Sequence, residues 1–196
     1  LLGLARGSGL RSISGMQEVD GQRRLLRPLL DISRADLRQS CIDQGIEFWD
    51  DPHNLDDRFL RVKVRNMAGE LEQVLGPGFA AALARTARSA ARADDLLLSL
   101  AGEALAAARV SGSATESRYE VASLQKLHEA VLLQALHLMA QSAGAANISQ
   151  VHVADIARLI TNWHGQKPLV LAGITVERVE SHLVVKKTAK LNPGAC

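Results

Sequence analysis

The chain has 196 residues, 47% of them apolar and 3% aromatic, a length for one large domain or two small ones with enough apolar side chain for a core. Its 23 Lys and Arg against 21 Asp and Glu leave a net charge of +2, which excludes a strongly basic nucleic-acid coat and an acidic disordered tail. Long runs of Ala and Leu with few rings favour helices packed by aliphatic side chains and disfavour base-stacking platforms. The expected fold class is therefore mainly α with a small β component.

The segment from Leu1 to Arg6 reads as the last turns of an amphipathic helix already under way, so the first residue reads as a cut. Arg6 to Gly15 is polar and glycine-rich, a loop by composition. Arg24–Arg27 is a short strand-like run ending at Pro28. Ser33 with Asp36 three residues on is a helix start, Leu37, Cys41 and Ile42 carry its apolar face, and Gly45 stops it. Residues 49–54, Trp-Asp-Asp-Pro-His-Asn, are turn chemistry. From Arg58 to Leu75 apolar residues at 60, 64, 67, 71 and 74 define one helical stripe, with Arg58, Arg61 and Arg65 on an adjacent face.

Gly76-Pro77-Gly78 is the strongest punctuation, and the boundary between residues 1–76 and 77–196 is placed there. A long helix is expected from Phe79 to Val110, then a linker-like loop at 111–114 and helices at 124–141 and 150–163. After Pro168 the period changes to that of a small terminal antiparallel hairpin, with Thr188 to Cys196 frayed. The two parts hold 11 basic against 12 acidic and 12 against 9 residues, so neither is a basic arm. No run reaches the roughly 18 apolar residues of a membrane span. No signal peptide is legible, two cysteines make no disulfide framework, and a cytoplasmic protein is expected.

Four groups could carry chemistry. The loop of Arg6, Gly7, Ser8 and Gly9 could offer backbone N–H groups and a cation to an anion, or be a plain connector. The stripe Arg58, Arg61, Arg65 suits bidentate capture of phosphate or carboxylate; its alternative is a solvated face paired with Asp56, Asp57 and Glu72. The turn bearing Asp51 and Asn54 sits just upstream to orient that helix. Arg85, Arg88 and Arg92 have the spacing to track a phosphate backbone, or form an exposed helix face. The six histidines have no metal-ligand spacing, there is no nucleophile elbow, and no metal site is expected within the chain.

Read together, Leu1 to Met16, Leu26-Arg27-Pro28-Leu29-Leu30-Asp31-Ile32-Ser33-Arg34, Asp51-Pro52-His53-Asn54 with Arg61 and Arg65, and Asn162-Trp163-His164-Gly165-Gln166 resemble the tRNA(Ile)-lysidine synthetase family. The resemblance implies that residues 1–76 are the C-terminal remainder of an α/β PP-loop domain. Residues 77–196 would then be a helical, tRNA-binding second domain ending in a β-hairpin. It implies ATP with Mg²⁺, free L-lysine, and an isoleucine tRNA with a CAU anticodon, whose wobble cytidine becomes lysidine. A homodimer is left open. In the same reading Arg6, Gly7, Ser8, Gly9, Arg61 and Arg65 wall the substrate and ATP pocket, Asp51 and Asn54 support it, and Arg58, Arg85, Arg88 and Arg92 meet tRNA. Val62 and Asn66 depart from the family's helix pattern. Its S-G-G-x-D-S and H-x-x-D-D-Q-x-E-T motifs do not occur in these residues, so the isolated chain is expected to be an inactive C-terminal portion. The rival readings are a non-catalytic tRNA-binding helical module, a PP-loop thiolase, disfavoured by the lone internal Cys41, and a purely structural helical protein.

Overall fold

Two short helices, α1 (Leu2–Ala5) and α2 (Leu10–Ile13), open the computed structural model, which describes residues 2–5, 9–20 and 23–188. The expected glycine-rich loop is thus interrupted by a helical turn that Ser14 closes, its hydroxyl donating to the Arg11 carbonyl at 2.7 Å. The strand-like run shortens to β2 (Leu25–Leu26), which pairs antiparallel with β1 (Val19–Asp20).

Helix α3 (Arg34–Asp43) starts where its cap predicts: the Ser33 hydroxyl accepts the Asp36 backbone N–H at 3.1 Å. It ends before Gly45, whose φ of 65° needs a residue without a Cβ. A 3-10 turn over Pro52–Asn54 leads to α4 (Leu60–Leu75). Gly76 and Gly78, at φ 95° and 93°, then carry the chain through a turn into α5 (Phe79–Ala108). The Gly78 N–H donates to a Glu72 carboxylate oxygen at 2.7 Å, so the new helix starts against the old one.

The chain divides into two compact units, Leu1–Asp94 and Asp95–Cys196. The division between these compact units falls inside α5, beyond the Gly76-Pro77-Gly78 turn that joins α4 to α5. The units differ in what they bury. In the first, Val62 is the only large apolar residue described as buried, while Trp49, Leu55 and Val74 are 78%, 81% and 80% exposed. The stripe at 60, 64, 67, 71 and 74 marks α4 as a helix, but Leu60, Met67 and Val74 face solvent. No residue of α3 is buried, and Cys41 is half-buried rather than core.

The second unit holds the core. Ala101, Leu105 and Ala108 of α5 meet α6 (Val121–Gln125), α7 (Glu129–Ser142) and α8 (Gln150–Thr161) over a sheet. The helix expected over 124–141 is two helices, because the His128 side chain accepts the Ala130 N–H and starts α7 afresh. The terminal β component is larger than a hairpin. Strands β3 (Arg109–Gly112), β4 (Glu116–Glu120), β5 (Leu169–Leu171), β6 (Ile174–Val179) and β7 (His182–Lys187) form an antiparallel sheet in the order β3-β4-β7-β6-β5. The stretch expected as a linker thus lies largely in the β3–β4 hairpin. Ser111 and Gly112 end β3 and pair with Arg118 and Ser117 of β4, and β4 is in turn fixed by long-range pairing with β7, from Glu116↔Lys186 to Glu120↔His182. Leu136, Ile156, Ile160 and Leu183 are fully buried, each worth roughly 1.5–3 kcal/mol of transfer free energy.

Candidate nucleotide and RNA site

In the first unit the turn over residues 50–59 is built by three aspartates. The Asp51 carboxylate accepts the His53 backbone N–H at 2.9 Å, and His53 Nδ1 lies 2.9 Å from the same oxygen. The His53 ring then meets Phe59 edge-on with centroids 5.9 Å apart, and Phe59 is the residue that opens α4. Asp51 therefore reaches α4 through His53 and Phe59. Asn54 closes the 3-10 turn with its N–H on the Asp51 carbonyl at 3.0 Å.

Arg58 is not on the helix. Asp56 accepts its backbone N–H at 2.9 Å and its guanidinium Nη2 at 2.7 Å, which holds residue 58 in the turn and delays the helix to Leu60. The guanidinium in turn holds the Asp56 carboxyl below its ordinary range. Arg61 and Arg65, four apart on α4, are exposed and form no ion pair among the described residues. The stripe of three becomes two unengaged guanidinium groups beside one that is committed.

Arg6, Gly7 and Ser8 lie outside the described residues; Gly9 precedes α2 in an extended conformation. On α5, Arg88 donates to Asp31 at 3.0 Å and Arg92 to Ser89 at 3.3 Å, while Arg85 faces solvent. An exposed pair such as Arg88–Asp31 is worth ~0–1 kcal/mol and can be given up to a better anion. Among the described residues no group of three or more His, Cys, Asp or Glu is placed to hold a metal ion, and no helix is long and apolar enough to cross a membrane.

Two arginines without a motif matter most to the local architecture. Arg38 on α3 forks onto Asp50, Nη1 to Oδ1 at 2.6 Å and Nη2 to Oδ2 at 2.9 Å, and lies 4.5 Å over the Phe48 ring. This clamp ties α3 to the start of the turn and holds the Asp50 carboxyl below its ordinary value of 3.8. A carboxyl with a depressed folded value stabilises the clamp fully above 3.8, and that contribution is lost as pH falls through the folded value. Side-chain carboxyl NMR should place the Asp50 midpoint below 3.8, and Arg38→Ala should return it to the ordinary range; an unchanged midpoint would show that Arg38 does not hold it. The second arginine, Arg178, belongs to the other unit. It donates to the Leu159 and Ile160 carbonyls at 3.1 and 3.4 Å and to the Glu180 carbonyl at 3.1 Å, and lies 5.5 Å over the Trp163 ring.

These residues sit on a chain whose relatives are known. Residues 1–71 match the PP-loop domain family and residues 120–184 match the TilS substrate binding domain family, so the chain resembles a PP-loop domain followed by a substrate-binding domain. It is a homologue of the tRNA(Ile)-lysidine synthases. The protein of that name from Leifsonia xyli is 43% identical over 179 residues, 91% of this chain and 53% of the relative. The one from Streptomyces coelicolor is 39% identical over 192 residues, 95% and 53%, and the one from Thermobifida fusca 39% over 176 residues, 88% and 52%. The chain spans about half the length of the curated relatives it matches. The suspected family is thus borne out, and the mainly helical class with a small β component holds.

Proposed function

We propose that this chain serves a tRNA(Ile)-lysidine synthase. The reaction is ATP-dependent attachment of lysine to the wobble cytidine of a CAU-anticodon isoleucine tRNA, with release of AMP and diphosphate. The observation that carries the reading is identity of 39–43% to synthases of that name over nine-tenths of this chain. In this reading residues 1–76 belong to the synthetase domain and residues 77–196 hold the tRNA. Arg61 and Arg65 offer two guanidinium forks to phosphates of ATP or tRNA, because no acid of the described chain occupies them. Asp51, His53 and Phe59 fix the start of that helix, and Asn54 its preceding turn. Among the tRNA contact candidates, Arg85 and Arg92 have no carboxylate partner among the described residues, whereas Arg58 and Arg88 would have to exchange one.

The described residues supply no Mg²⁺ ligand cluster, so no step drawn from them runs through that ion. The positions that adenylate the cytidine and bind lysine are assigned to the S-G-G-x-D-S and H-x-x-D-D-Q-x-E-T motifs, which these 196 residues do not contain. The chain alone is therefore expected to bind the tRNA without modifying it. Incubation with ATP, lysine and the tRNA should yield no lysidine by nucleoside mass spectrometry, while a gel shift should detect binding. Arg61→Ala with Arg65→Ala should weaken that binding about tenfold or more and lower its salt slope by about 2. Lysidine formed by the isolated chain would overturn the division of labour, and absence of any tRNA affinity would overturn the RNA reading itself.

A further inference from the structure

The second unit contains a polar recess of ≈ 200 Å³ between the β3–β4 turn, the end of α7 and the end of β7. Two cations reach it, Arg109 at the start of β3 and Lys187 at the end of β7. The register of β3 slips between Arg109 and Ser111, a bulge of the kind that re-aims a side chain. The Arg109 guanidinium folds back across Gly112: a Cβ built there would lie 2.1 Å from Arg109 Nη2 and 2.8 Å from Cζ. Among the described residues Arg109 Nη2 has one weak hydrogen-bond partner, the Ser117 hydroxyl at 3.4 Å. Lys187 is set beside the turn by its backbone N–H, which donates to the Thr115 carbonyl at 2.8 Å, and its ammonium makes no ion pair among the described residues.

The lining acid does not cancel this charge. Glu116 is taken by Arg118, whose Nε donates to it at 2.7 Å. The C-terminal end of α7 adds roughly half a negative charge against two full positive ones. The hydroxyls complete a donor set. Ser113 Oγ accepts the Thr115 and Glu116 backbone N–H groups at 3.3 and 3.1 Å and lies 3.4 Å from the Thr115 hydroxyl, so one proton of that hydroxyl pair is left to donate outward, and Ser142 adds another hydroxyl. A guanidinium fork, an ammonium and several hydroxyls around one opening match a tetrahedral oxyanion better than a planar carboxylate.

We propose that this recess is a phosphate subsite and that its occupant is a backbone phosphate of the bound RNA. Arg109, Ser113, Thr115 and Lys187 are all exposed, so the site holds a free phosphate weakly and suits a phosphodiester kept in place by the rest of a polymer. The choice of RNA rests on the synthase reading; the phosphate chemistry does not.

The test uses the 196-residue chain with two probes, inorganic phosphate and an unmodified CAU-anticodon tRNA transcript. Phosphate should shift the amide resonances of Ser113, Thr115 and Ser117 saturably. Arg109→Ala and Lys187→Ala should each weaken that titration at least fivefold with unchanged far-ultraviolet circular dichroism. Gly112→Ala keeps both charges and displaces only the guanidinium, and it should weaken phosphate binding to a similar extent; an effect of surface charge alone would leave it unchanged. With tRNA, the double variant Arg109→Ala/Lys187→Ala should lower the salt slope by about 1. Amides that do not move, or that move alike in every variant, overturn the subsite. A tRNA slope unchanged in the double variant overturns its assignment to RNA and leaves the synthase reading standing. Saturable phosphate binding in a chain with no tRNA affinity overturns the RNA occupant together with the synthase reading, and leaves only an anion site.

Discussion

Leu136→Ala is expected to lower the stability of the second unit by about 2–5 kcal/mol, whereas Met67→Ala in the first should change stability by no more than about 0.5 kcal/mol. Leu136 is 0% exposed, sits mid-way along α7 and lies in the one buried cluster described, whose members run from Ala101 to Val185. Its loss opens a cavity that neighbouring helices and sheet can close only in part. Met67 is 54% exposed and gives up little burial on truncation. The chain holds two tryptophans, Trp49 and Trp163, one in each unit. Denaturant titration therefore reads the second unit through Trp163 in a Trp49→Phe background and the first through Trp49 in a Trp163→Phe background. Equal effects of the two truncations would mean that the core is shared differently from this account.

Arg178→Ala should cost the second unit about 1–3 kcal/mol without removing any core side chain. Its guanidinium answers the carbonyls of Leu159 and Ile160 in the last turn of α8, residues that are 1% and 0% exposed. It also holds the Glu180 carbonyl in the β6–β7 turn, where Glu180 takes a φ of 53° that a non-glycine residue adopts only with support. Gln125 Nε2 still donates to the Ile160 carbonyl at 2.8 Å, so the Leu159 carbonyl bears most of the loss. Arg178→Lys keeps the charge but offers a point donor in place of a fork, and should recover only part of the stability. Melting curves of the three proteins would check the order; a lysine variant equal to the parent would reduce the role of Arg178 to charge at a helix end.

The elements legible in the sequence were those whose causes are local. Ser33 with Asp36 marks the start of α3, the Gly-Pro-Gly turn marks the end of α4, and the periodic run before it marks a helix. What periodicity does not carry is which face is covered: in α4 Val62 is buried, while of the predicted stripe Leu60, Met67 and Val74 are exposed and Val64 and Leu71 only half-buried. Strands β3 and β4, with Ser, Gly, Glu and Arg at most of their positions, carry little intrinsic strand signal; β4 is held by its pairing with β7, and β3 by its pairing with β4. The site was legible in part. Arg61 and Arg65 followed from spacing, but Arg58 left the stripe because Asp56, two residues earlier, captures it in a turn. Arg38 and Arg178 belong to no motif, since Asp50 lies 12 residues from the first and the Leu159 carbonyl 19 from the second, and only the fold reveals them.

The sheet bears on how the second unit behaves at high concentration. Its two open borders are β3, four residues long with a bulge after Arg109, and β5, three residues long and entered directly after Pro168. Short, bent or proline-flanked borders are poor templates for adding a foreign strand. Five strands of hydrogen-bonding backbone are thus presented without an invitation to fibril growth, and self-association of this unit has to proceed through side chains.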